Sequence, residues 1–161
     1  MIHLLYGYGR GKTSSAFGLA LRMAGHGKRV LVVQFIKDGT SGEVAAIRQL
    51  PGVEVLHPEP YLDLEANRTL WREAIFRLRD PDGTALIVLD EVLDAMAGGA
   101  LTPDELTDAV RAFAATGAEL VLTGHEDPPR ELVDLADYIT RFEPIRHPYE
   151  KGIVAREGVE Y

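Results

Sequence analysis

The sequence predicts an α/β fold in which a mostly parallel β-sheet is flanked by helices in three layers. Two observations indicate it. First, short runs of apolar and β-branched residues alternate with segments of helical spacing, the order that builds parallel sheets. Second, a glycine-rich stretch, GYGRGKTS at residues 7–14, stands between the first apolar run and the first helical segment. A loop of this kind at this position is typical of the P-loop NTPase-like class.

The strands are predicted from uninterrupted apolar runs, which mark strands covered on both faces of a parallel sheet. Each run ends at glycine, proline or polar residues, which favour turns. The predicted strands are, in order, Ile2–Tyr6, Arg29–Ile36, Val53–Leu56, Ala85–Val92 and Ala118–Gly124, with further strand-like runs at 137–144 and 152–161.

The helices are predicted from apolar residues three and four apart and from capping residues. Trp71 falls on such an apolar stripe and is interpreted as helix core. Thr102 and Glu105 form the pattern of a capping box, and Asp127 before Pro128 is expected to cap the last helix. The predicted helices run from Thr13 to about Ala24, Gly42 to Leu50, Leu64 to Leu78, Thr102 to about Ala115 and Asp127 to about Leu135.

Length and composition predict a single domain over residues 1–161 and exclude several classes of function. The net charge of -8 and the lack of a basic run disfavour nucleic acids as partners. Cysteine is absent, which excludes disulfides and thiolate metal sites and is compatible with the reducing cytoplasm, the expected location. The sequence shows no cationic leader and no apolar run near ~18 residues, so neither export nor membrane spanning is predicted.

The glycine-rich loop predicts a phosphate-binding site. Its N–H groups and the following helix N-terminus can point together at an anion, and glycine at alternating positions permits positive φ values. Lys12 would lie on the phosphates, and Thr13 would offer its hydroxyl to a divalent cation. The standard pattern, however, requires glycine where Tyr6 stands. The alternative is a strand-to-helix turn in which glycine is needed only for steric reasons.

A second motif, LIVLDE at residues 86–91, has the form of a Walker B strand. It ends in Asp90 and Glu91, at the place where a magnesium partner of the loop would lie. Taken alone, the motif could also be a solvated acidic turn or a helix N-cap by Asp90. The two motifs in this order on one α/β chain predict a nucleotide site with Mg²⁺ or Mn²⁺.

Other polar residues give weaker signals. Arg22 lies nine residues beyond Thr13 and out of phase with it on the first helix, so periodicity favours a solvent-facing arginine. Arg10 and Lys37 are interpreted as surface cations on the same argument. The five histidines lack metal-ligand spacing, and no metal is assigned to them.

Five stretches together resemble the P-loop type of ATP:corrinoid adenosyltransferase, the cob(I)alamin or cob(I)yrinic acid a,c-diamide adenosyltransferase family. The resemblance implies that Co(I) of a reduced corrinoid attacks the 5′ carbon of ATP and expels triphosphate. It also implies that ATP binds in the reverse sense to that of ordinary P-loop enzymes. The stretches are GYGRGKTSSAFGLALRMAGHGKRVLVVQFIKDG (7–39), LIVLDEV (86–92), LVLTG (120–124), ELVDLADYIT (131–140) and RHPYEKGIVAREGVEY (146–161).

The resemblance assigns roles to particular residues of the ATP site. Lys12 binds the phosphates, Thr13 and Glu91 are metal ligands, and Asp90 supports the metal. Arg22 matches an arginine that reaches the triphosphate, against the interpretation from periodicity. The implied ATP-binding loop consists of Gly7, Tyr8, Gly9, Arg10, Gly11, Lys12, Thr13 and Ser14.

The resemblance also places the corrinoid at the loop HPEPYLDLEANR, residues 57–68, where aromatic side chains displace the lower cobalt ligand. A pair of family aromatics becomes Tyr61 and Asp63 here, so Tyr61 is predicted to contact the corrinoid. The implied catalytic set is Lys12, Glu91 and Tyr61. The implied partners are ATP, a corrinoid, a reductase that supplies Co(I), and a second copy of the chain in a homodimer.

Two other functions remain open at this point. The chain could be a non-catalytic protein that binds ATP or a corrinoid, or a P-loop kinase or ATPase. Incubation with ATP, Mg²⁺ and a reduced corrinoid would distinguish the three functions. An adenosyltransferase would release triphosphate, a binding protein would give no product, and a kinase or ATPase would release ADP.

Overall fold

Six parallel strands form the centre of the structure, a computed structural model that describes residues 1–146 and 148–159. The order across the sheet is β3-β2-β4-β5-β1-β6, so the strand of the glycine-rich loop and the strand of Asp90 are separated by β5. Because every pair is parallel, the carboxyl ends of all six strands lie along one edge. The strands are β1 Ile2–Tyr6, β2 Arg29–Gln34, β3 Val53–Leu56, β4 Thr84–Asp90, β5 Glu119–Gly124 and β6 Tyr138–Arg141.

Helices cover both faces of the sheet, which confirms the three-layer α/β fold. Alternate residues of one strand face opposite layers: Val32 of β2 packs in the core with α1 and α2, and Val33 packs in the core with the other helices. Among the described residues, no helix is both long enough and apolar enough to cross a membrane. The helices are α1 Lys12–Gly25, α2 Gly42–Ile47, α3 Leu64–Arg79, α4 Val92–Ala97, α5 Pro103–Phe113 and α6 Arg130–Leu135.

Trp71 lies in the core between α3 and the sheet, as the apolar stripe predicts. Its side chain is 2% exposed, and its ring centroid lies 6.5 Å from that of Phe35. Truncating a buried tryptophan to alanine typically costs about 3–5 kcal/mol of stability. Trp71 is therefore a structural residue and does not belong to the loop that precedes α3 and carries Tyr61.

The two predicted helix caps have different outcomes. Thr102 and Glu105 form the capping box: the Glu105 N–H donates to Thr102 Oγ1 over 3.2 Å, and the Thr102 N–H donates to Glu105 Oε2 over 2.7 Å. The Asp127 cap is wrong, because α6 begins at Arg130, after Pro129. Proline disfavours helical backbone in the residue before it, so the pair at 128 and 129 delays the start of the helix.

Two segments differ from the sequence-based expectation. The short helix α4 follows Glu91 directly and was not predicted. The predicted strand at 152–161 is wrong over its described part, 152–159, which forms no strand; His147, Glu160 and Tyr161 lie outside the described residues. A strand needs a ladder partner, whereas this segment turns toward the glycine-rich loop, where Arg10 donates to the Val159 carbonyl.

Candidate active site

The glycine-rich loop joins β1 to α1, and two of its glycines have backbone conformations that side chains disfavour. Gly7 has φ 104° and Gly11 has φ 116°. Gly11 directly precedes the first residue of α1. The first N–H groups of the helix have no partner within the helix, so the loop presents them to a ligand. The loop thus has the geometry that binds anions.

Gly9 is required for a different reason. Its φ is not in the left-handed region, so the expectation that all alternating glycines serve positive φ is wrong for this one. A Cβ on Gly9 would lie 2.6 Å from the backbone N of Glu143, and the Gly9 N–H donates to the Phe142 carbonyl over 2.8 Å. Glycine here lets the chain after β6 lie directly against the loop.

A cavity of 1020 Å³ lies over the loop and between α1 and α2. This volume is large enough for a nucleotide. Its polar wall contains Arg10, Gly11, Lys12, Thr13, Ser14, Lys37, Glu91 and His125, and its apolar wall contains Phe17, Leu21, Ala46, Ile47 and Leu50. The structure therefore brings the second half of the predicted ATP loop together with one of the two predicted acidic residues.

Arg22 and Tyr8 lie outside the lining of this cavity. Arg22 is exposed in the last turn of α1, ten residues after Lys12, which is about 15 Å along the helix axis. Tyr8 is 65% exposed, and its hydroxyl donates to Glu126 Oε1 over 3.0 Å. Their predicted contacts with ATP remain predictions.

Lys12 is a buried cation at the floor of the cavity. It is 7% exposed, and its Nζ donates to the Gly9 carbonyl over 3.0 Å. Burial lowers its pKa below the usual value, partly offset by the charges of Asp94, Glu91 and Asp90. A buried ammonium beside a neutral carbonyl gains strongly from an anionic ligand.

Asp90 is completely buried and is held by four side chains. Its oxygens accept hydrogen bonds from Thr13 Oγ1 (3.1 Å), Thr123 Oγ1 (2.7 Å), Gln34 Nε2 (3.1 Å) and Lys37 Nζ (2.7 Å). Such a carboxylate is strongly oriented, and it fixes the Thr13 hydroxyl in turn. Asp90 is not the N-cap of α4, so the capping alternative is wrong.

Glu91 turns its side chain into the cavity through an unusual backbone conformation. Its φ is 58°, and its N–H donates to Thr123 Oγ1 over 2.8 Å. A left-handed conformation in a residue other than glycine costs on the order of 1–3 kcal/mol and is often found at functional sites. Burial and the charge of Asp90 raise the pKa of Glu91, and Lys37 opposes that rise.

Lys37 lies at the centre of the acidic cluster, so its interpretation as a surface cation is wrong. Its Nζ is 2.7 Å from Asp90 Oδ2, 3.2 Å from Glu91 Oε1 and 3.1 Å from Thr13 Oγ1. Burial alone would lower its pKa, but the two carboxylates outweigh burial and raise it.

Sheet order explains why sequence reasoning missed Lys37, Gln34 and Thr123. Gln34 ends β2 and is in register with Asp90 of β4, while Thr123 lies near the end of β5 on the other side. The available signal was a polar residue at the end of each buried strand. Its use required knowing that β2 and β5 are the two neighbours of β4.

Thr13, Asp90 and Glu91 fit a hard divalent cation. No group of three or more His, Cys, Asp or Glu side chains in the described part of the chain could hold a metal alone. Magnesium sites for nucleotides commonly use one or two carboxylates and complete their coordination with phosphates and water. Here the oxygens of all three residues already surround a cation, the Lys37 ammonium.

A second cavity of 370 Å³ lies beside Tyr61, and Lys37 lines both cavities. Tyr61 is 41% exposed and lines this cavity together with residues 38–41. The residue predicted to contact the corrinoid therefore lines a cavity that shares Lys37 with the larger cavity.

Asn67 fixes the loop that carries Tyr61. It is 4% exposed, and its Nδ2 donates to the carbonyls of Tyr61 (2.9 Å) and Asp63 (2.8 Å). Its Oδ1 accepts from the N–H of Ile36, just beyond β2, over 3.0 Å. Asp63 caps α3 by accepting from the Ala66 N–H over 2.8 Å, which gives this residue a structural role.

The loop, the helix N-terminus and the buried carboxylate at the end of a nearby parallel strand together give the chain the architecture of a P-loop-type α/β domain. Domain III of the replication initiation protein DnaA from Thermotoga maritima has a similar fold, with a TM-score of 0.50 and 15% sequence identity. The match covers 89% of this chain and 55% of that chain, so this chain spans about half the length of that structure. This likeness concerns the fold alone.

The sequence itself identifies the family. The family model described as ATP:corrinoid adenosyltransferase BtuR/CobO/CobP matches residues 1–161, and the chain belongs to this family. A corrinoid adenosyltransferase of Pseudomonas aeruginosa is 36% identical, covering 96% of this chain and 80% of the relative. The corrinoid adenosyltransferase CobA of Salmonella typhimurium is 31% identical, covering 100% and 85%. The family resemblance found in the sequence is thereby confirmed.

Proposed function

We propose that this protein transfers the 5′-deoxyadenosyl group of ATP to the Co(I) centre of a corrinoid and releases triphosphate. The cobalt–carbon bond forms as the C5′–oxygen bond breaks. Cobalt supplies the electron pair and becomes Co(III), and the triphosphate leaves with the electrons of the broken bond. The observation that carries the proposal is the adjacency of a phosphate-binding cavity and the Tyr61 cavity across Lys37.

The loop and the α1 N-terminus would hold the leaving group. Lys12 lies at the cavity floor and Arg10 at its wall, so positive charge faces the position where negative charge gathers as the C5′–oxygen bond breaks. Donors that are already in place stabilise such charge without reorganisation, and each charged hydrogen bond contributes ~1.5–3 kcal/mol. Retention of the whole triphosphate also keeps it aligned for displacement.

We assign the divalent cation to Thr13 and Glu91, with Asp90 orienting Thr13. When bound, Mg²⁺ or Mn²⁺ would neutralise charge on the departing triphosphate. Glu91 faces the cavity, whereas the hydrogen bonds to Asp90 occupy both of its oxygens. Asp90 therefore acts through Thr13 and Lys37.

Tyr61 would contact the corrinoid from the second cavity. Its partly exposed ring can pack on the macrocycle, and the Asn67 hydrogen bonds limit its movement. In the family resemblance, aromatic residues of this loop displace the lower cobalt ligand, which makes cobalt easier to reduce.

Three further parts of the proposal rest on the resemblance and composition: a reductase that supplies Co(I), a homodimer, and the cytoplasm as location. A reductant is required by the chemistry, since Co(I) is the nucleophile. Sedimentation velocity tests the dimer.

The function is tested with ATP, Mg²⁺ and chemically reduced cobalamin. We expect a light-sensitive adenosyl product and triphosphate in equal amounts. ADP or phosphate without adenosyl product would show a kinase or ATPase instead. ATP binding without product on any corrinoid tested would show a binding protein.

A further inference from the structure

The Lys37 ammonium contacts the side chains of the proposed cation site. Its nitrogen lies within 3.2 Å of oxygens from Thr13 and Glu91, to which the proposed function assigns the cation, and from Asp90, which orients Thr13. These oxygens come from α1 and from the end of β4 with the residue that follows it, and all of them contact the Lys37 ammonium.

The charges of the cluster require a cation at this point. Asp90 is completely buried and Glu91 is largely buried, so two neighbouring carboxylates would otherwise repel each other in a medium of low dielectric. Lys37 neutralises one of these charges. An ammonium and a divalent cation cannot share the same oxygens, because like charges at this separation repel strongly.

Lys37 has both the freedom and a reason to move. Its side chain is 25% exposed and lines both cavities, and its four-carbon stem is flexible. A triphosphate in the larger cavity would offer the ammonium an anion in exchange for the carboxylates.

We propose that Lys37 competes with the divalent cation for the oxygens of Thr13 and Glu91. In the nucleotide-free protein, the ammonium holds these oxygens, and free Mg²⁺ binds weakly. The cation then enters with the triphosphate, which draws Lys37 away. This inference rests on the metal site of the proposed function and adds the order in which its components bind.

Titration of the nucleotide-free, full-length protein with Mn²⁺, followed by electron paramagnetic resonance, tests the inference. Lys37→Met removes the competing charge and preserves chain length. Lys28→Met is the matched control, because Lys28 is exposed and directly precedes β2. It therefore lies at the amino ends of the strands, whereas the site lies at their carboxyl ends. We expect Lys37→Met to bind Mn²⁺ at least about tenfold more tightly than the wild-type protein, and Lys28→Met to match the wild type.

Added inorganic triphosphate gives a second readout. It should raise Mn²⁺ affinity in the wild-type protein by a larger factor than in Lys37→Met, because only the wild type has an ammonium to displace. Equal factors, or no gain of affinity in folded Lys37→Met, would overturn the inference. If the wild type binds no Mn²⁺ even with ATP, the metal site itself fails, and the inference falls with it.

A measurement on the wild-type protein covers the case in which Lys37→Met does not fold. The side-chain ammonium signal of Lys37 in nitrogen-15 NMR can be assigned with Lys37→Arg. We expect this signal to shift when Mg²⁺ and triphosphate are added together and to stay in place with Mg²⁺ alone. A shift with Mg²⁺ alone would show that the cation displaces Lys37 without triphosphate, which overturns the proposed order. No shift with Mg²⁺ and triphosphate together would show that no competition exists.

Discussion

The phosphate end of the site and the Tyr61 end are built differently. Lys12, Thr13 and Asp90 are buried or half-buried at the carboxyl edge of the sheet, where α1 begins after β1 and where β4 ends. Tyr61 is partly exposed on a loop, and the hydrogen bonds of Asn67 attach that loop to α3 and to the end of β2. The first region is held by several buried hydrogen bonds, whereas the second depends on one buried side chain. Substitutions should therefore separate ATP binding from the corrinoid step.

The largest effect is expected from Lys12→Met. It removes the buried ammonium at the cavity floor, so ATP affinity should fall at least about 100-fold, equivalent to about 3 kcal/mol. Isothermal titration calorimetry with ATP and Mg²⁺ measures the loss, and Lys28→Met should bind as the wild type does. Unchanged ATP affinity in Lys12→Met would show that the floor of this cavity does not bind the phosphates of ATP.

Tyr61→Ala should act on the other region alone. We expect adenosylation at saturating ATP to slow about thirtyfold, which corresponds to about 2 kcal/mol of barrier, while the Kd for ATP stays the same. Tyr61→Phe keeps the ring and should retain most of the rate. An equal loss of ATP affinity in Tyr61→Ala would show that the two cavities do not divide the substrates as proposed.

Asn67→Leu tests whether one side chain holds the Tyr61 loop. It is nearly isosteric but leaves the Tyr61 carbonyl and the Ile36 N–H without their partner, so stability should fall by about 1–3 kcal/mol. The Asp63 carbonyl keeps the backbone N–H of residue 67. Corrinoid turnover should fall about fivefold more than ATP affinity does, because the loop loosens without unfolding the sheet. Thermal melting and steady-state rates measure the two effects. Full activity in a destabilised Asn67→Leu would show that loop position does not limit the reaction.

Much of the fold follows from local sequence, because apolar runs and the Thr102 capping box act within a few residues. The helix after Glu91 was missed, since it is short and begins at a left-handed residue that no local pattern indicates. The paired prolines delay the start of α6 for an equally local reason, the effect of proline on the backbone of the residue before it.

The candidate site could be predicted only where one motif contains the residues. Lys12, Thr13, Asp90 and Glu91 stand in two recognisable motifs, and the structure brings them together. Lys37 lies 53 residues from Asp90 along the chain and meets it through strand pairing, which depends on sheet order. Gly9 likewise depends on Phe142 and Glu143, which approach it only because β6 is parallel to β1.

The smallest effect is expected from Arg22→Met. Family resemblance assigns Arg22 to the triphosphate, yet it lies exposed at the far end of α1, about 15 Å from Lys12 along the axis. A contact at that distance requires ATP to extend along the larger cavity past Gly18 and Leu21, two of the residues that line this cavity.

Because such a contact would be exposed to solvent, we expect Arg22→Met to raise the KM for ATP only about threefold, or about 0.7 kcal/mol. Arg72→Met is the matched control, since Arg72 is an exposed arginine on α3, which packs on the other face of the sheet. A change in KM no larger than that of Arg72→Met would show that Arg22 does not contact ATP and that the phosphate contacts are limited to the loop. A tenfold or larger increase in the KM for ATP would instead show that the phosphate end of the site extends along the whole of α1. Bound ATP would then lie parallel to this helix.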